Sequence, residues 1–413
     1  MRARVLGISI LVVLAGCAQL MGIRDGELDD EPSGPGARAD ASPSGDATSA
    51  DVIAEGPLVR TIAAGGAHTC ALYDDGRLRC WGDNRFGQLG LGDLLSRGKT
   101  IESMSRTFVD LGASWATAFV ALGRMQSCAV STGTGPDARL KCWGRLGPDT
   151  DVDGGVLDDS ADPPTAALAP VLAVGAKAVG AGVRHTCAAI VAGVVCWGAT
   201  GRPPDPRVVG AIAAGSNSTC ELFARDKAVR CWESGTSDID TGAVTFAGDA
   251  SVEAIAGRLS HACARLSDGS VACWGNNFTG QLAPGIVGDG GGLVDPLSFE
   301  EPVREVTTGA RHTCVLLERG TVKCWGDNAD GQLGLVDVSS TKGGPFTAAS
   351  LPAVDLGGAR AIGVAAGDAH TCVLLEDHAV KCWGSNQYGQ LGLGQEIDRT
   401  VGVGPRDLPN AAL

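Results

Sequence analysis

The sequence is poor in aromatic side chains and lacks long apolar runs after its N-terminal segment. Of its 413 residues, 4% are Phe, Trp or Tyr, and two are Tyr. After the N-terminal segment, no stretch approaches eighteen uninterrupted apolar residues, so we expect no membrane-spanning helix there. The motifs GxSxG and HExxH and the phosphate-binding loop are also absent. The sequence therefore predicts a protein that is not an enzyme.

Basic residues are outnumbered by acidic ones. The chain has 33 Lys and Arg residues against 47 Asp and Glu residues, which gives a formal net charge of −14. Such a surface does not attract a phosphate backbone, so nucleic acid is not the expected partner. About half of the acidic excess lies in residues 24–56, which are rich in Asp, Ser, Gly and Pro. This composition is typical of a flexible tether.

The cysteines occur in pairs, but no CxxC spacing is present, which argues against a redox dithiol and a zinc ribbon. Seven pairs are separated by nine to fourteen positions, and Trp directly follows the second cysteine of each pair. Each pair brackets two short apolar-alternating runs around a turn, which is the pattern of a β-hairpin. A turn centred on Asp75 places Cys70 directly opposite Cys80, so we predict a disulfide in every hairpin. The predicted disulfide cysteines are Cys70, Cys80, Cys128, Cys142, Cys187, Cys196, Cys220, Cys231, Cys263, Cys273, Cys314, Cys324, Cys372 and Cys382.

The fifteenth cysteine, Cys17, ends a short apolar segment with a basic start. The sequence MRARVLGISILVVLAGC resembles a bacterial lipoprotein signal, in which LAGC directs cleavage and lipid attachment. We expect residues 1–16 to be the signal peptide, residues 17–57 to be a lipidated linker and residues 58–413 to fold. A plain signal peptide is the alternative. Disulfides and signal both indicate an oxidising compartment, and Ala18 favours the outer membrane over the inner membrane.

The hairpins belong to a longer repeat, whose clearest copy runs from Thr61 to Gly90. The string GxxHTCALxxxGxxxCWGxNxxGQLG resembles the repeat of the regulator of chromosome condensation family, in its exported, disulfide-bearing bacterial form. The resemblance covers residues 58–413 and implies an all-β fold, a seven-bladed β-propeller of four-stranded antiparallel blades. The seven CysTrp pairs give the same number. We expect the C-terminal TVGVGPRDLP to pair with the first copy and close the ring.

Recurring His and Trp residues are interpreted as structural. The Trp that follows each second cysteine should fill an interface between blades, because each repeat needs its neighbours to complete a core. A His precedes the first cysteine of five copies, but each lies in a different copy, which disfavours a shared metal site. These residues are His68, His185, His261, His312 and His370.

Segments that vary between copies are better functional candidates, since the fold does not explain them. Long inserts follow four CysTrp strands, at residues 91–108, 145–170, 283–302 and 335–352. Equivalent connections emerge on the same side of a propeller, so we expect this side to bind a partner protein. The candidate contacts are Arg97, Met104, Arg106, Phe108, Leu157, Phe299 and Phe346.

One insert also resembles a calcium loop. In the sequence DTDVDGGV, Asp149, Asp151 and Asp153 occupy alternate ligand positions. Position twelve is Ser160, where such a loop has a bidentate Glu. We therefore favour a solvated acidic loop, keep calcium as the alternative, and expect no other cofactor.

Together these features predict a monomeric, lipid-anchored propeller that acts as a protein-binding or scaffold module. The expected partner is an envelope or extracellular protein. A carbohydrate or cell-wall ligand is the alternative. The family resemblance alone also implies guanine-nucleotide exchange, which needs a cytoplasmic GTPase and therefore conflicts with export.

Overall fold

The computed structural model of the protein describes residues 56–104, 107–133, 135–146, 171–183, 185–198, 207–233, 240–283, 295–336, 347–400 and 403–413. These residues form an all-β fold with two short 3₁₀ helices, Gly135–Asp137 and Pro405–Asp407. In this part of the chain, no helix has the length and apolar character needed to cross a membrane.

The described strands form seven antiparallel sheets, and each sheet contains one CysTrp pair. Neighbours in a sheet are neighbours in the chain, as expected for a repeat of hairpins. The first four sheets are β1 (Val59–Ala64), β2 (His68–Tyr73) and β3 (Leu78–Gly82); β4 (Thr117–Leu122), β5 (Gln126–Ser131), β6 (Arg139–Gly144) and β7 (Val171–Val174); β8 (Ala178–Ala181), β9 (Thr186–Ile190) and β10 (Gly193–Trp197); and β11 (Val209–Ala214), β12 (Ser218–Phe223), β13 (Val229–Glu233) and β14 (Asp240–Val244). The last three are β15 (Val252–Arg258), β16 (His261–Leu266) and β17 (Val271–Gly275); β18 (Val303–Thr308), β19 (His312–Leu317) and β20 (Val322–Gly326); and β21 (Ala361–Ala366), β22 (His370–Leu375) and β23 (Val380–Gly384).

The second and third strands of each sheet form the predicted hairpin. In the first sheet the backbone N–H of Tyr73 donates to the carbonyl of Arg77 at 2.9 Å, which places Cys70 opposite Cys80. All seven predicted disulfides are present, with Cα atoms 4.0 to 4.1 Å apart. The disulfide prediction is therefore confirmed. Directly opposed strand positions bring the two sulfurs within bonding reach.

The prediction of four-stranded blades holds for two sheets of the described chain, which gain β7 and β14 as outer strands. Three other sheets have an isolated bridge in this place, between Gly82 and Arg97, Val271 and Leu297, and Ser385 and Arg399. The inserts differ in length and sequence, so their returning segments touch the third strand at single points instead of forming a continuous ladder.

The C-terminal segment takes a different partner from the predicted one. The N–H of Ala411 donates to the carbonyl of Val380 at 2.7 Å, and Lys381 Nζ donates to the carbonyl of Leu408 at 2.6 Å. These contacts place residues 403–413 along β23, the outer edge of the seventh sheet. The expectation that this segment pairs with strands of the first copy is not met in the described residues. β23 is the last strand of its sheet, so its outer edge leaves backbone groups with which this segment can pair.

The first strands of the sheets meet around a common centre. β1, β4, β8, β11, β15, β18 and β21 all contribute to the wall of one cavity of about 110 Å³, which is lined mainly by Ala, Val, Ile and Gly. Hydrophobic clusters fill the space between neighbouring sheets. The repeat tryptophans occupy these interfaces as predicted, and five are fully buried: Trp81, Trp143, Trp232, Trp325 and Trp383.

Candidate functional site

The inserts begin on one side of the molecule, and the hairpin turns lie on the other. The N–H of Asp83 donates to the carbonyl of Ala67, and the N–H of Ser385 donates to that of Ala369, both at 2.8 Å. The end of each third strand therefore lies beside the loop between the first and second strands. We call the side that bears these loops and the start of the inserts the insert face. The opposite side, with hairpin turns such as Asp75–Gly76, is the turn face.

Backbone hydrogen bonds connect the loops of the insert face from one sheet to the next. The N–H of Gly66 donates to the carbonyl of Gly123 at 3.0 Å, and the N–H of Arg124 donates to that of Gly182 at 3.1 Å. The N–H of Asp368, in the last sheet, donates to the carbonyl of Gly66 in the first sheet at 3.1 Å. The insert face is therefore a continuous surface around the cavity.

A histidine links each of five sheets to the next one, as expected for structural residues. Their Nε2 atoms lie 2.7 to 2.9 Å from a hydroxyl oxygen on the following sheet. The pairs are His68 with Ser127, His185 with Thr219, His261 with Thr313, His312 with Thr371, and His370 with Thr69. Among the residues that the structure describes, no group of three His, Cys, Asp or Glu side chains could hold a metal ion.

The backbone carbonyl of the GQL glutamine completes four of these links. Gln332 O accepts the hydroxyl of Thr371 at 2.8 Å and the indole N–H of Trp383 at 3.0 Å. Gln88, Gln281 and Gln390 accept the corresponding two donors from the sheet that follows each of them. One carbonyl therefore ties both the hydroxyl and the tryptophan of the next repeat.

The second, third and fourth copies lack this glutamine, and the tryptophans that follow them show the loss. Trp232 Nε1 is buried and has no hydrogen-bond partner among the described residues. Trp197 and Trp274 are only half-buried. In the second copy Gln126 replaces the histidine, and its Nε2 donates to the carbonyl of Gly182 at 3.0 Å. The repeat is therefore held less tightly in this sector.

Burial controls the charge of the linking histidines. It lowers the pKa of His68 and of His312 to about 3, with a further contribution from nearby positive charge, including the Arg258 guanidinium. Burial also lowers the pKa of His185 and of His261 to about 4. These histidines are neutral at physiological pH, so they supply hydrogen bonds to the interfaces and no positive charge.

Four of the predicted partner contacts are held by the protein itself. Arg97 pairs with Asp93, and Met104 is 8% exposed. Phe108 packs edge-on against Tyr73 with ring centroids 5.2 Å apart. Phe299 lies 5.9 Å from the ring of Trp325. These side chains pack on neighbouring sheets or pair within the insert, so these four are poor anchors for a partner.

The remaining predicted residues are not in the part of the chain that the structure describes. Arg106, Leu157 and Phe346 lie outside the described residues, as does Cys17. The proposed calcium ligands Asp149, Asp151 and Asp153 also lie outside them.

Other apolar side chains are exposed on the insert face. Leu95 and Ile101, in the first insert, are 65% and 67% exposed, and Phe278 is 63% exposed. Leu94 and Val336 are also exposed. No sequence pattern identified them, because an irregular insert has no periodicity that separates buried from exposed positions.

The comparison with known families separates the copies in the same way as the hydrogen bonds. One model of the regulator of chromosome condensation (RCC1) repeat matches residues 59–88, 256–281, 303–332 and 361–390, and a second matches residues 319–374 and 377–412. These segments are the first, fifth, sixth and seventh copies, which are the four with the glutamine carbonyl links. These segments carry the regulator of chromosome condensation repeat. The seven antiparallel sheets around one cavity agree with the predicted β-propeller class.

Curated proteins with the same repeats match over part of their length. The ultraviolet-B receptor UVR8 of Arabidopsis thaliana is 33% identical over 135 residues, which cover 32% of this chain and 29% of the receptor. The probable E3 ubiquitin-protein ligase HERC4 of Homo sapiens is 39% identical over 97 residues, which cover 24% of this chain and 9% of the ligase. The aligned part is thus less than a third of either relative.

Solved structures with similar folds share less sequence. Prp20p from Saccharomyces cerevisiae, described with its binding to Gsp1p and histones, is 17% identical, with a TM-score of 0.49, and covers 86% of this chain and 77% of Prp20p. The CRINKLY WD40 ectodomain of the Arabidopsis thaliana receptor kinase ACR4 is 19% identical, with a TM-score of 0.47, and covers 82% of this chain and 97% of the ectodomain.

Proposed function

We propose that the protein is an exported, lipid-anchored propeller of seven blades that binds a partner protein through its insert face. The observation that carries the binding role is the exposure of Leu95, Ile101 and Phe278 on the face where the long inserts begin. Large apolar side chains that the fold leaves in water are typical of protein-binding surfaces when they share one face.

Contacts between the last and first sheets support a closed ring of seven blades. His370 Nε2 lies 2.9 Å from Thr69 Oγ1, and Trp81 Nε1 donates to the carbonyl of Gln390 at 2.9 Å. These contacts have the same form as those between the sixth and seventh sheets. A ring closed by side-chain links protects the inner strand edges and gives a rigid platform for binding.

The cysteines support export. Seven disulfides persist only in an oxidising compartment, and the segment that ends in LAGC at Cys17 supplies a route to it. Lipid on Cys17 would hold the propeller at a membrane, and residues 24–56 would separate it from the bilayer surface. We place the protein at the outer membrane in preference to the inner one.

Mass spectrometry tests the anchor. The full chain, purified from membranes, should show acyl mass on a new N-terminus at Cys17 and no free thiols before reduction. The Cys17→Ser variant should lose the acyl mass and leave the membrane fraction. An unprocessed N-terminus in the wild type would contradict the lipid anchor.

Site-specific photo-crosslinking tests the binding face. A photoreactive amino acid at Leu95 or Ile101 should capture a partner from envelope extract. The same group at Val191, which is 62% exposed beside the hairpin turn of the third sheet, is the matched control on the turn face. Capture from position 191 alone would move the site to the turn face. Capture of peptidoglycan or glycan fragments would favour the cell-wall alternative.

A further inference from the structure

One loop of the insert face departs from the repeat. In six copies it begins with glycine: Gly65, Gly123, Gly182, Gly215, Gly309 and Gly367. A Cβ at Gly309 would lie 2.1 Å from His312 Cε1, and a Cβ at Gly367 would lie 2.0 Å from His370 Cε1. These copies therefore have no room for a side chain. In the fifth copy Arg258 occupies this position, and the repeat does not account for it.

The backbone around Arg258 is rearranged to accept it. β15 is extended to seven residues and ends at Arg258. Leu259, which follows, has a φ of 51°, in the left-handed region that residues other than glycine rarely adopt. Strain of this kind is most often retained where it supports function.

The Arg258 side chain crosses the end of the central cavity. Its Nη2 donates to the carbonyls of Ala64 at 2.6 Å and Leu122 at 3.2 Å, and its Nη1 lies 3.1 Å from Asp368 Oδ1. It connects the fifth sheet to the first, second and seventh, and its side chain is 11% exposed. The cavity therefore has a guanidinium across its mouth.

A second guanidinium shares the same carboxylate. Arg124 Nε lies 3.3 Å from Asp368 Oδ2, and the Arg124 side chain is 51% exposed. Its two terminal nitrogens have no partner among the described residues. One carboxylate thus pairs with two guanidinium groups, so these three side chains give the cavity mouth a net positive charge. With Arg311, the described loops between the first and second strands carry three arginines against one aspartate, in a chain of net charge −14.

We propose that the cavity mouth binds one carboxylate of the partner protein, an Asp or Glu side chain, through the outward-facing fork of Arg124. This inference rests on the proposed function and names the chemistry of the partner's anchor. A guanidinium fork matches a carboxylate with two parallel hydrogen bonds. Arg258 occupies part of the Asp368 carboxylate and so keeps Arg124 available. The cavity beneath, of about 110 Å³, admits little more than the end of one side chain.

Nuclear magnetic resonance on the full, disulfide-bonded chain tests the site with a matched pair of probes. N-acetylglutamate α-amide carries one side-chain carboxylate, and N-acetylglutamine α-amide has the same shape without the charge. We expect the glutamate probe to shift the Arg124 Nε signal saturably, and the glutamine probe to leave it unchanged.

Three variants define the expected pattern, and each can be followed by backbone amide shifts of the same loop. Arg124→Gln should weaken binding of the glutamate probe about tenfold, as for loss of a charged partner at an interface. Asp368→Asn should strengthen it, because a competing carboxylate is removed. Arg258→Gly introduces the glycine that the six other copies have at this position. This variant should weaken binding of the glutamate probe, because Asp368 is then free to neutralise Arg124. Arg319→Gln, on the turn face, is the control and should have no effect.

Equal shifts with both probes, or unchanged affinity in Arg124→Gln, would overturn the inference. Crosslinking from Ile101 separates this failure from failure of the proposed function. If wild type and Arg124→Gln capture one partner with equal yield, protein binding stands and the carboxylate site is wrong. If a positioned crosslinker captures no partner from either face, the proposed function itself is wrong.

Discussion

His312 Nε2 lies 2.9 Å from the hydroxyl oxygen of Thr371 on the next sheet, while that hydroxyl donates its hydrogen to the carbonyl of Gln332. The threonine can therefore only accept from His312, which places the imidazole proton on Nε2. His312 Nδ1 is buried without a partner among the described residues. Protonation there would bury both a charge and an unpaired donor, which explains why burial lowers the pKa of His312 to about 3.

Acid should destabilise the propeller well above the range where carboxylates titrate. The unfolded chain binds protons at these histidines below about pH 6.5, whereas their pKa in the folded protein is about 3 for His68 and His312 and about 4 for His185 and His261. Stability is therefore fully present above pH 6.5 and falls as the pH decreases from there. Urea unfolding at pH 7.5 and pH 5 should show a loss of up to about 2 kcal/mol per histidine.

The second copy supplies the control variant for this prediction. His312→Gln copies Gln126, which makes its interface hydrogen bond without a titrating group. This variant should show a weaker fall in stability between pH 7.5 and pH 5 than the wild type. An equal fall in both proteins would exclude His312 as a source of the acid sensitivity.

The glutamine carbonyl links should make equivalent tryptophans contribute unequally to the free energy of unfolding. Trp383 Nε1 donates to the carbonyl of Gln332 at 3.0 Å, whereas Trp232 Nε1 is buried without a partner among the described residues. Replacement by Phe removes the same atoms at both positions. We expect Trp383→Phe to lower the free energy of unfolding by about 1 kcal/mol more than Trp232→Phe, because it alone loses a hydrogen bond. Chemical denaturation of the two variants measures the difference, and equal losses would show that the carbonyl link contributes nothing.

Stability and partner binding should separate within the first insert. Phe108 packs on Tyr73, and the Arg77 guanidinium lies 4.0 Å above its ring, so Phe108→Ala should lower the melting temperature. Ile101 is 67% exposed, so Ile101→Ala should leave the melting temperature within about 2 °C and reduce crosslinking yield from position 95. The two variants are measured side by side by calorimetry and by capture yield. Reduced capture by Phe108→Ala at full stability would return Phe108 to the binding surface.

The hairpins and their disulfides could be predicted because both depend on local spacing. The turn around Asp75 fixes the register, and the register alone brings Cys70 opposite Cys80. The histidine role followed from its recurrence in separate copies. The threonine and glutamine atoms that His312 and Trp383 depend on lie in neighbouring repeats, so no local pattern identified them.

The irregular parts were harder to predict. Met104 and Ile101 are both apolar residues of the same insert, yet one is buried and the other exposed. That difference depends on how the insert folds back, which sequence spacing does not encode. The sequence pattern also did not identify Arg258. Only the structure shows that the six glycines at the equivalent position have no room for a side chain.

Glu305 gives a pH dependence of opposite sign to that of the histidines. It lies on β18, where its Oε2 accepts the N–H of Val364 on β21 at 3.2 Å, between the sixth and seventh sheets. Burial raises its pKa to about 7, although the N–H of Val364 and the charges of Arg304 and Arg265 act in the other direction. The folded protein therefore binds a proton that the unfolded chain has already released above its ordinary pKa of 4.5.

Replacing Glu305 by glutamine should therefore stabilise the protein in alkaline solution. The contribution of Glu305 to stability is present at low pH and is lost as the pH rises from about 4.5 through about 7. Glu305→Gln keeps an oxygen that can accept from Val364 and never ionises, so it should raise the free energy of unfolding at pH 8 by about 1 to 3 kcal/mol and have little effect at pH 4.5. Urea denaturation at both pH values measures this, with Glu318→Gln on the exposed turn face as the control. A stabilisation of equal size at both pH values would mean that ionisation of Glu305 is not its cause.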